Sequence, residues 1–320
     1  MPCDDAEPLH CIAGRGRPPG FRFAQQCQMI AAMARYSTMR KPTRQQLLRL
    51  EVVRTEQISA HWMRVTLGGG QSALFEPMRF DQWFRLFIPA AATDDAREAL
   101  DRVPANANKT MGYLKFFATI PQSVRPIMRN YSVRAFRPAD SRTGRTAEID
   151  VDFVLHGSAE DGTAGPASTW AQTCQPGDPV ALIDEGIVFT PEQGTDRVLL
   201  VSDETGLPAV SSICESLPDD AVGTLIAEVP TADDALEFAH PAGLTVHWVV
   251  RETSDDPHAK PGTLALAALR EIEVPAPPVH AFIVGEQALP TSARRHLVEA
   301  GVPKEHISFV GYWRMPAKQK

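Results

Sequence analysis

The rhythm of the chain changes near Pro191, and that change calls for two domains of different class. Between about Gln46 and Ile187 the apolar residues come in short strand-like runs: Leu48–Val53, Trp62–Leu67, Trp83–Ile88, Arg129–Ala135, Ile149–Leu155 and Pro179–Ile183. Gly, Pro and Asp bound these runs, so they predict an antiparallel barrel. Apolar side chains alternate along Ile149-Asp150-Val151-Asp152-Phe153-Val154-Leu155, which predicts a half-buried strand. The stretch from Ala90 to Met128 reads as a partly helical insertion over one mouth of the barrel. After Pro191, the strands Arg197–Val201, Leu225–Val229, Thr245–Val250, Ala281–Val284 and Ile307–Val310 alternate with segments of helical spacing at Leu207–Leu217, Asp233–Phe238, Leu264–Glu271 and Thr291–Ala300. That alternation predicts a doubly wound parallel sheet. The boundaries follow as an extension over residues 1–45, a barrel domain over 46–191 and an α/β domain over 192–320. With 320 residues, 43% of them hydrophobic, both domains can bury a core.

Charge and cysteine usage narrow the function. A net charge of −7 excludes broad neutralisation of nucleic-acid phosphates, so any anion site is local. The five cysteines show no C-x-x-C and no metal-ligand spacing, which fits a reducing, cytoplasmic setting without an intrinsic iron–sulfur cluster. The longest apolar runs, Met29–Ala34 and Leu264–Leu269, are far below the roughly 18 residues that span a bilayer. The first 45 residues carry seven Arg/Lys against three acids and no sustained periodicity, and they read as a flexible extension. Translation starting at Met29, Met33 or Met39 is compatible with that reading.

Two segments carry a ligand signal. On a strand through Arg129-Asn130-Tyr131-Ser132-Val133-Arg134, Arg129 and Tyr131 share one face, so an aromatic ring stands beside a cation. Alone, this equally suits an ordinary strand. Downstream, His156-Gly157 leads to Gly165-Pro166-Ala167-Ser168, where Gly caps a helix and Pro fills its first position. The amides that follow are free to meet an anion such as a diphosphate. In the second domain Asp203-Glu204-Thr205-Gly206 follows a strand at the carboxyl edge of the parallel sheet, where ligands of such folds bind, and Gly285-Glu286 lies at an equivalent strand end. Asp203 and Thr205 also suit a plain helix cap. Arg294 and Arg295 belong to the helix after Glu286, either near a cofactor phosphate or on a solvated face.

Taken in order, Arg129–Arg134, Val151–Gly157, Gly165–Ala171, Ser202-Asp203-Glu204-Thr205-Gly206-Leu207-Pro208-Ala209, Gly285-Glu286 with Arg294-Arg295-His296-Leu297, and Gly311-Tyr312-Trp313-Arg314 resemble the siderophore-interacting protein family. The resemblance spans about Gln46 to Arg314. It implies a ferredoxin-reductase-like flavoprotein, a flavin-binding antiparallel barrel followed by an NAD(P)-binding α/β domain, that uses FAD and NADPH or NADH to reduce ferric siderophores. Carried over residue by residue, Arg129 would hold the FAD diphosphate, Tyr131 would pack on the isoalloxazine and Ser132 would lie near its N5, with Val133 beside them. These make Tyr131 and Ser132 the catalytic pair. Gly165, Ala167 and Ser168 would complete the diphosphate site, with His156 and Gly157 as the adjoining wall. Asp203, Glu204 and Thr205 would face the nicotinamide, and Trp313 or Tyr312 would cover the flavin opposite Tyr131.

Arg85, Arg134 and Arg314 form a candidate basic patch for an anionic ferric chelate. The chain departs from the family pattern at Ser202, where a glycine is usual, and at Trp83-Phe84-Arg85, where His, an apolar residue and Lys are usual. Reduction of iron(III) weakens the hold of hard oxygen ligands, so such an enzyme needs neither a nucleophile nor an acid–base pair. Other readings are a flavoprotein serving a protein partner such as a ferredoxin, and a siderophore-binding module without redox turnover.

Overall fold

A computed structural model describes residues 39–315, apart from residues 106, 108, 109 and 193. The proposed extension therefore lies outside the described residues up to residue 38. Its last part, Met39–Gln45, is tied to the first domain. Arg40 and Ile187 exchange backbone hydrogen bonds at 3.0 and 2.9 Å, and Lys41 and Gln45 reach the buried Glu185.

The first domain is a seven-stranded antiparallel sheet of β1 (Leu47–Ser59), β2 (Trp62–Gly68), β3 (Trp83–Ile88), β4 (Ile127–Ser132), β5 (Ala135–Arg137), β6 (Glu148–Val154) and β7 (Pro179–Gly186), in the order β4-β3-β7-β1-β2-β6-β5. It curls because β1 is shared: its first half pairs with β7 and its second half with β2. The edges then meet, since Arg134 N donates to Asp150 O on β6 at 2.9 Å and the Tyr131 and Phe153 rings lie 4.2 Å apart. One core fills the interior, with Leu50, Val65, Leu86, Val151 and Leu182 in it, and helix α3 (Pro166–Thr173) plugs it with Trp170 and Ala171. The expected run Arg129–Ala135 is thus two strands, broken where Val133 N bonds Gln82 O just before β3 and Arg134 N bonds Asp150 O on β6.

Two expectations are corrected here. The insertion forms α1 (Asp94–Asp101) and α2 (Thr110–Thr119), and α1 lies on the outer face of β1 and β7, not over the barrel mouth. Arg49, which points away from the core, donates to the carbonyls of Leu100, Asp101 and Val103, and Arg97 pairs with Asp178 at 3.1 Å. Nor is β6 half-buried: Asp150 and Asp152 are as hidden as its apolar residues. Arg137 binds Asp150 at 2.6 Å and Arg64 binds Asp152 at 2.7 and 2.8 Å, so the polar face is covered by paired guanidinium groups. A buried carboxylate persists when it is paired in this way.

The second domain is a five-stranded parallel sheet of β8 (Arg197–Ser202), β9 (Val222–Val229), β10 (Gly243–Val250), β11 (His280–Glu286) and β12 (Ile307–Trp313), ordered β10-β9-β8-β11-β12. Chain order reverses between β8 and β11, which makes that crevice the switch point where ligands of such sheets bind. Helices α4 (Leu207–Cys214), α5 (Thr263–Glu271) and α6 (Ala288–Glu299) cover the faces. The helix expected at Asp233–Phe238 is a single 3-10 turn over Ala232–Asp234. Its Asp234 side chain is spent capping Thr231 and accepting from Ser59 and His61 of the first domain at 2.6 and 2.8 Å. Cys174 and Cys214 are buried thiols with pKa pushed up to about 12 by burial, as packing residues should be.

The linker between domains is pinned from both sides. Asp81 accepts from Val188 N and Phe189 N, and Ser308 Oγ, itself 3.0 Å from His280 Nε2, donates to Val188 O. Burial, reinforced by His306, lowers the His280 pKa to about 4. The unfolded chain takes up this proton near pH 6.5 and the folded chain only near 4, so stability falls as pH drops through that window. A His280→Gln variant should show a shallower loss of unfolding free energy between pH 6.5 and 5, by up to about 1.4 kcal/mol per pH unit. Identical slopes would mean that the buried imidazole does not titrate as described.

Candidate functional site

Two groups of nominated residues come together, one at the barrel seam and one at the carboxyl edge of the parallel sheet. At the seam, β4 sets Arg129 opposite Leu86 and Tyr131 opposite Phe84, on the face that closes against β6 and α3. Burial raises the Tyr131 pKa, so its phenol stays neutral, although Arg129 pulls the other way. Arg129 is half-buried and donates one N–H to the adjacent Met128 carbonyl at 2.8 Å. A guanidinium has five donors, and among the described residues this is the one hydrogen bond that engages them. Ser132 and Val133 are buried beside it, Val133 N donating to Gln82 O at 2.7 Å.

Helix α3 supplies the opposing wall. Gly165 caps it in extended conformation and Pro166 occupies the first turn, so Thr169 N is the first amide bonded back, to Gly165 O at 2.8 Å. The amides of Ala167 and Ser168 precede it, without an intrahelical acceptor. Space beside Gly165 is open, because a Cβ there would meet no atom within 4 Å. Gln172 ties the wall together in a way sequence reasoning missed. Its Nε2 donates to Ser168 Oγ at 3.0 Å and to Gly157 O at 3.4 Å, and its Oε1 accepts from Ala159 N. Gly157 needs its φ of +75°, because a Cβ would press on Thr163 backbone atoms at 2.7 Å. His156 leans toward the other group: burial, Arg251 and His61 lower its pKa, and Glu204 opposes them.

At the carboxyl edge, Asp203 and Glu204 are fully buried rather than presented to a ligand. Asp203 caps its own turn, accepting from Thr205 N at 2.9 Å and Thr205 Oγ1 at 2.5 Å, and it also accepts from Glu286 N at 2.6 Å and Trp313 Nε1 at 3.3 Å. Burial and the neighbouring Glu204 push its pKa up. Glu204 takes both nitrogens of Arg251, at 2.8 and 2.9 Å, and Arg251 also binds Glu228 at 2.7 Å. Glu228 accepts from Ala265 N at the start of α5. Among the nominated trio only Thr205 remains partly exposed. Arg251 and Glu228 carry no sequence signal, since they lie at the ends of two other strands and meet Glu204 only when the sheet forms.

The three arginines do not form one free patch. Arg85 is buried, with Nε 2.8 Å from Glu185. Arg134 makes a two-pronged bond to Glu215, 2.8 Å for each nitrogen, that joins the domains. Arg314 alone is exposed, and it makes no ion pair among the described residues. Arg294 stacks over Phe309 at 4.9 Å, away from the carboxyl edge, and Arg295 is exposed. Between the domains a cavity of about 60 Å³ is lined by Trp62, Arg64, Arg134 and Asp152 on one side and by Leu207, Pro208 and Phe238 on the other. No cluster of His, Cys, Asp or Glu suited to a metal ion occurs among the described residues.

The comparisons match both halves of the molecule. The family model for the siderophore-interacting FAD-binding domain matches residues 51–188, and that for siderophore-interacting protein matches residues 195–316. Ferric vibriobactin reductase of Vibrio cholerae is 28% identical over 268 residues, 83% of this chain and 88% of that one. The NADPH-dependent ferric-chelate reductase of Escherichia coli is 28% identical over 268 residues, 82% of this chain and 91% of its own. The crystal structure of a siderophore utilization protein from T. fusca superposes with a TM-score of 0.65 at 30% identity, covering 88% of this chain and 97% of that one. Ferredoxin reductases share the fold at low identity, so the arrangement is ferredoxin-reductase-like.

Proposed function

The chain belongs to the siderophore-interacting protein family, and from that premise we propose that it is an FAD-dependent reductase that moves electrons from NADPH or NADH to the iron(III) of a ferric siderophore. The observation that carries this reading is the pairing of the Arg129 fork and the Tyr131 ring on β4 with the free first-turn amides of α3 across the barrel seam. Cation, aromatic face and helix amides are the donor set that a flavin dinucleotide requires, so the residues present fit the group. When bound, a flavin accepts a hydride and returns single electrons.

In this reading the barrel domain spans 46–191 and the nicotinamide domain 192–320. Arg129, Ala167 and Ser168 bind the diphosphate, with Gly165 leaving room, and Gly157 and His156 shape the wall. Tyr131 and Ser132 orient the ring, with Val133 fixing the strand. Trp313 covers the facing side, and Thr205 is the member of its loop that a nicotinamide can reach. Asp203 and Glu204 support that loop from below. Arg314 captures the anionic chelate, whereas Arg85 and Arg134 are committed to Glu185 and Glu215. No helix among the described residues is long and apolar enough to cross a membrane, and we place the reaction in the cytoplasm.

The test is a visible spectrum of the purified protein, repeated anaerobically with NADPH or NADH and then with a ferric catecholate and a ferrous trap. Bound flavin that bleaches with nucleotide and recovers with iron is expected. Flavin that neither nucleotide reduces would point to a reduced protein donor such as a ferredoxin, and a protein that cannot bind FAD would leave only a siderophore-binding module. Arg314→Ala should raise KM for an anionic ferric catecholate about ten-fold, the effect of losing one charged contact of roughly 1.4 kcal/mol, and should spare a neutral ferric hydroxamate. Equal effects on both chelates would remove Arg314 from the capture site.

A further inference from the structure

The last strand carries an exposed arginine at its end, and a long charged side chain on a loose terminus would spend much of its binding energy on being ordered. Here the backbone around Arg314 is held on both sides. Before it, the Trp313 indole N–H donates to Asp203 Oδ2 and the Trp313 carbonyl accepts from Gln287 N at 2.8 Å. After it, Met315 N donates to Glu286 Oε1 at 3.1 Å. The two anchors are themselves linked, because Glu286 N donates to the same Asp203 oxygen that takes the indole. Glu286 is further fixed by Lys260 at 2.7 Å and by Ala288 N at 2.8 Å.

We infer that Asp203 is a positioning residue for substrate capture, acting through the Trp313 indole to aim Arg314 across the switch-point crevice between β8 and β11. Its carboxylate is 0% exposed and touches nothing outside the protein, so any influence on a ligand passes through the groups it holds. Sequence makes room for it at Gly285. With φ at +137°, a Cβ there would stand 2.6 Å from the Asp203 carboxyl carbon, so only glycine lets the aspartate lie between two strand ends. A helix cap alone requires the Thr205 bonds to one oxygen. The second oxygen, aimed at Glu286 N and Trp313 Nε1, is what the clasp adds.

This inference rests on the reductase reading, and a double-mutant cycle separates the two. KM for ferric tris-catecholate is measured per bound flavin in Trp313→Phe, Asp203→Asn and the double variant. If Asp203 acts through the indole, each single change raises KM by roughly five-fold and the double variant by about the same factor. Multiplied effects, roughly twenty-five-fold together, would show that Asp203 acts independently of Trp313 and would overturn the inference. Trp313→Phe removes the indole N–H together with its fused ring and leaves the other Asp203 bonds, so kcat and flavin content are measured beside KM to separate a change at the flavin face, and an unchanged KM in that variant overturns it even if Asp203→Asn does not fold. A wild-type protein that binds no flavin or reduces no chelate would defeat the reductase reading instead.

Discussion

Arg129→Ala should lose flavin. Among the described residues the guanidinium donates to one carbonyl, that of its neighbour Met128, so removing it costs the fold little. In the proposed site its remaining donors meet the FAD diphosphate, and charged hydrogen bonds of that kind contribute about 2–3 kcal/mol, or roughly a 30- to 150-fold change in affinity. The ratio of bound FAD to protein after gel filtration should therefore drop sharply, while the thermal midpoint of the apoprotein stays within a few degrees. Arg129→Lys, which keeps the charge and loses the planar fork, should fall between the two. A normal flavin content in Arg129→Ala would refute the diphosphate role and shift attention to the α3 amides.

Arg251→Met should destabilise the second domain by about 3–5 kcal/mol, because it leaves two buried carboxylates without their cation. Glu204 is 1% and Glu228 0% exposed, and both depend on the same guanidinium. A loss of that size is a large share of the 5–15 kcal/mol that ordinarily separates folded from unfolded chains. Urea unfolding followed by near-UV absorbance or circular dichroism would measure it. Replacing all three residues together by Leu, Met and Leu should restore most of the loss, less about 1 kcal/mol for the Ala265 amide that Glu228 now satisfies. A single-variant loss under about 1 kcal/mol would mean that water reaches the carboxylates and that the triad is not the closed network described.

Much of the architecture was legible because local chemistry decides it. Trp83–Ile88 is a strand as read, and all five strands of the parallel sheet differ from expectation by no more than three residues at either end, since their apolar runs have no other use. Gly165-Pro166 starts a helix where it should, because cap and first-turn chemistry depend on neighbours alone. The six residues Asp233–Phe238 had helical spacing but too little length to nucleate a helix, and their capping aspartate was claimed by the other domain.

The amino-acid order thus determined the two fold classes, the seam strand with its arginine and tyrosine, and the glycine positions that let backbone approach backbone. Which charges are free was decided only by tertiary structure. Arg85, Arg134 and Arg314 are alike in sequence, yet Glu185 and Glu215, each from a distant strand or helix, neutralise the first two. Asp203 likewise reads as an ordinary cap until β11 and β12 bring Glu286 N and the Trp313 indole to its second oxygen. The physical reason is common to all of these cases: caps and strand periods are satisfied within a few residues, whereas a buried charge is satisfied by whatever partner the packed sheet carries to it.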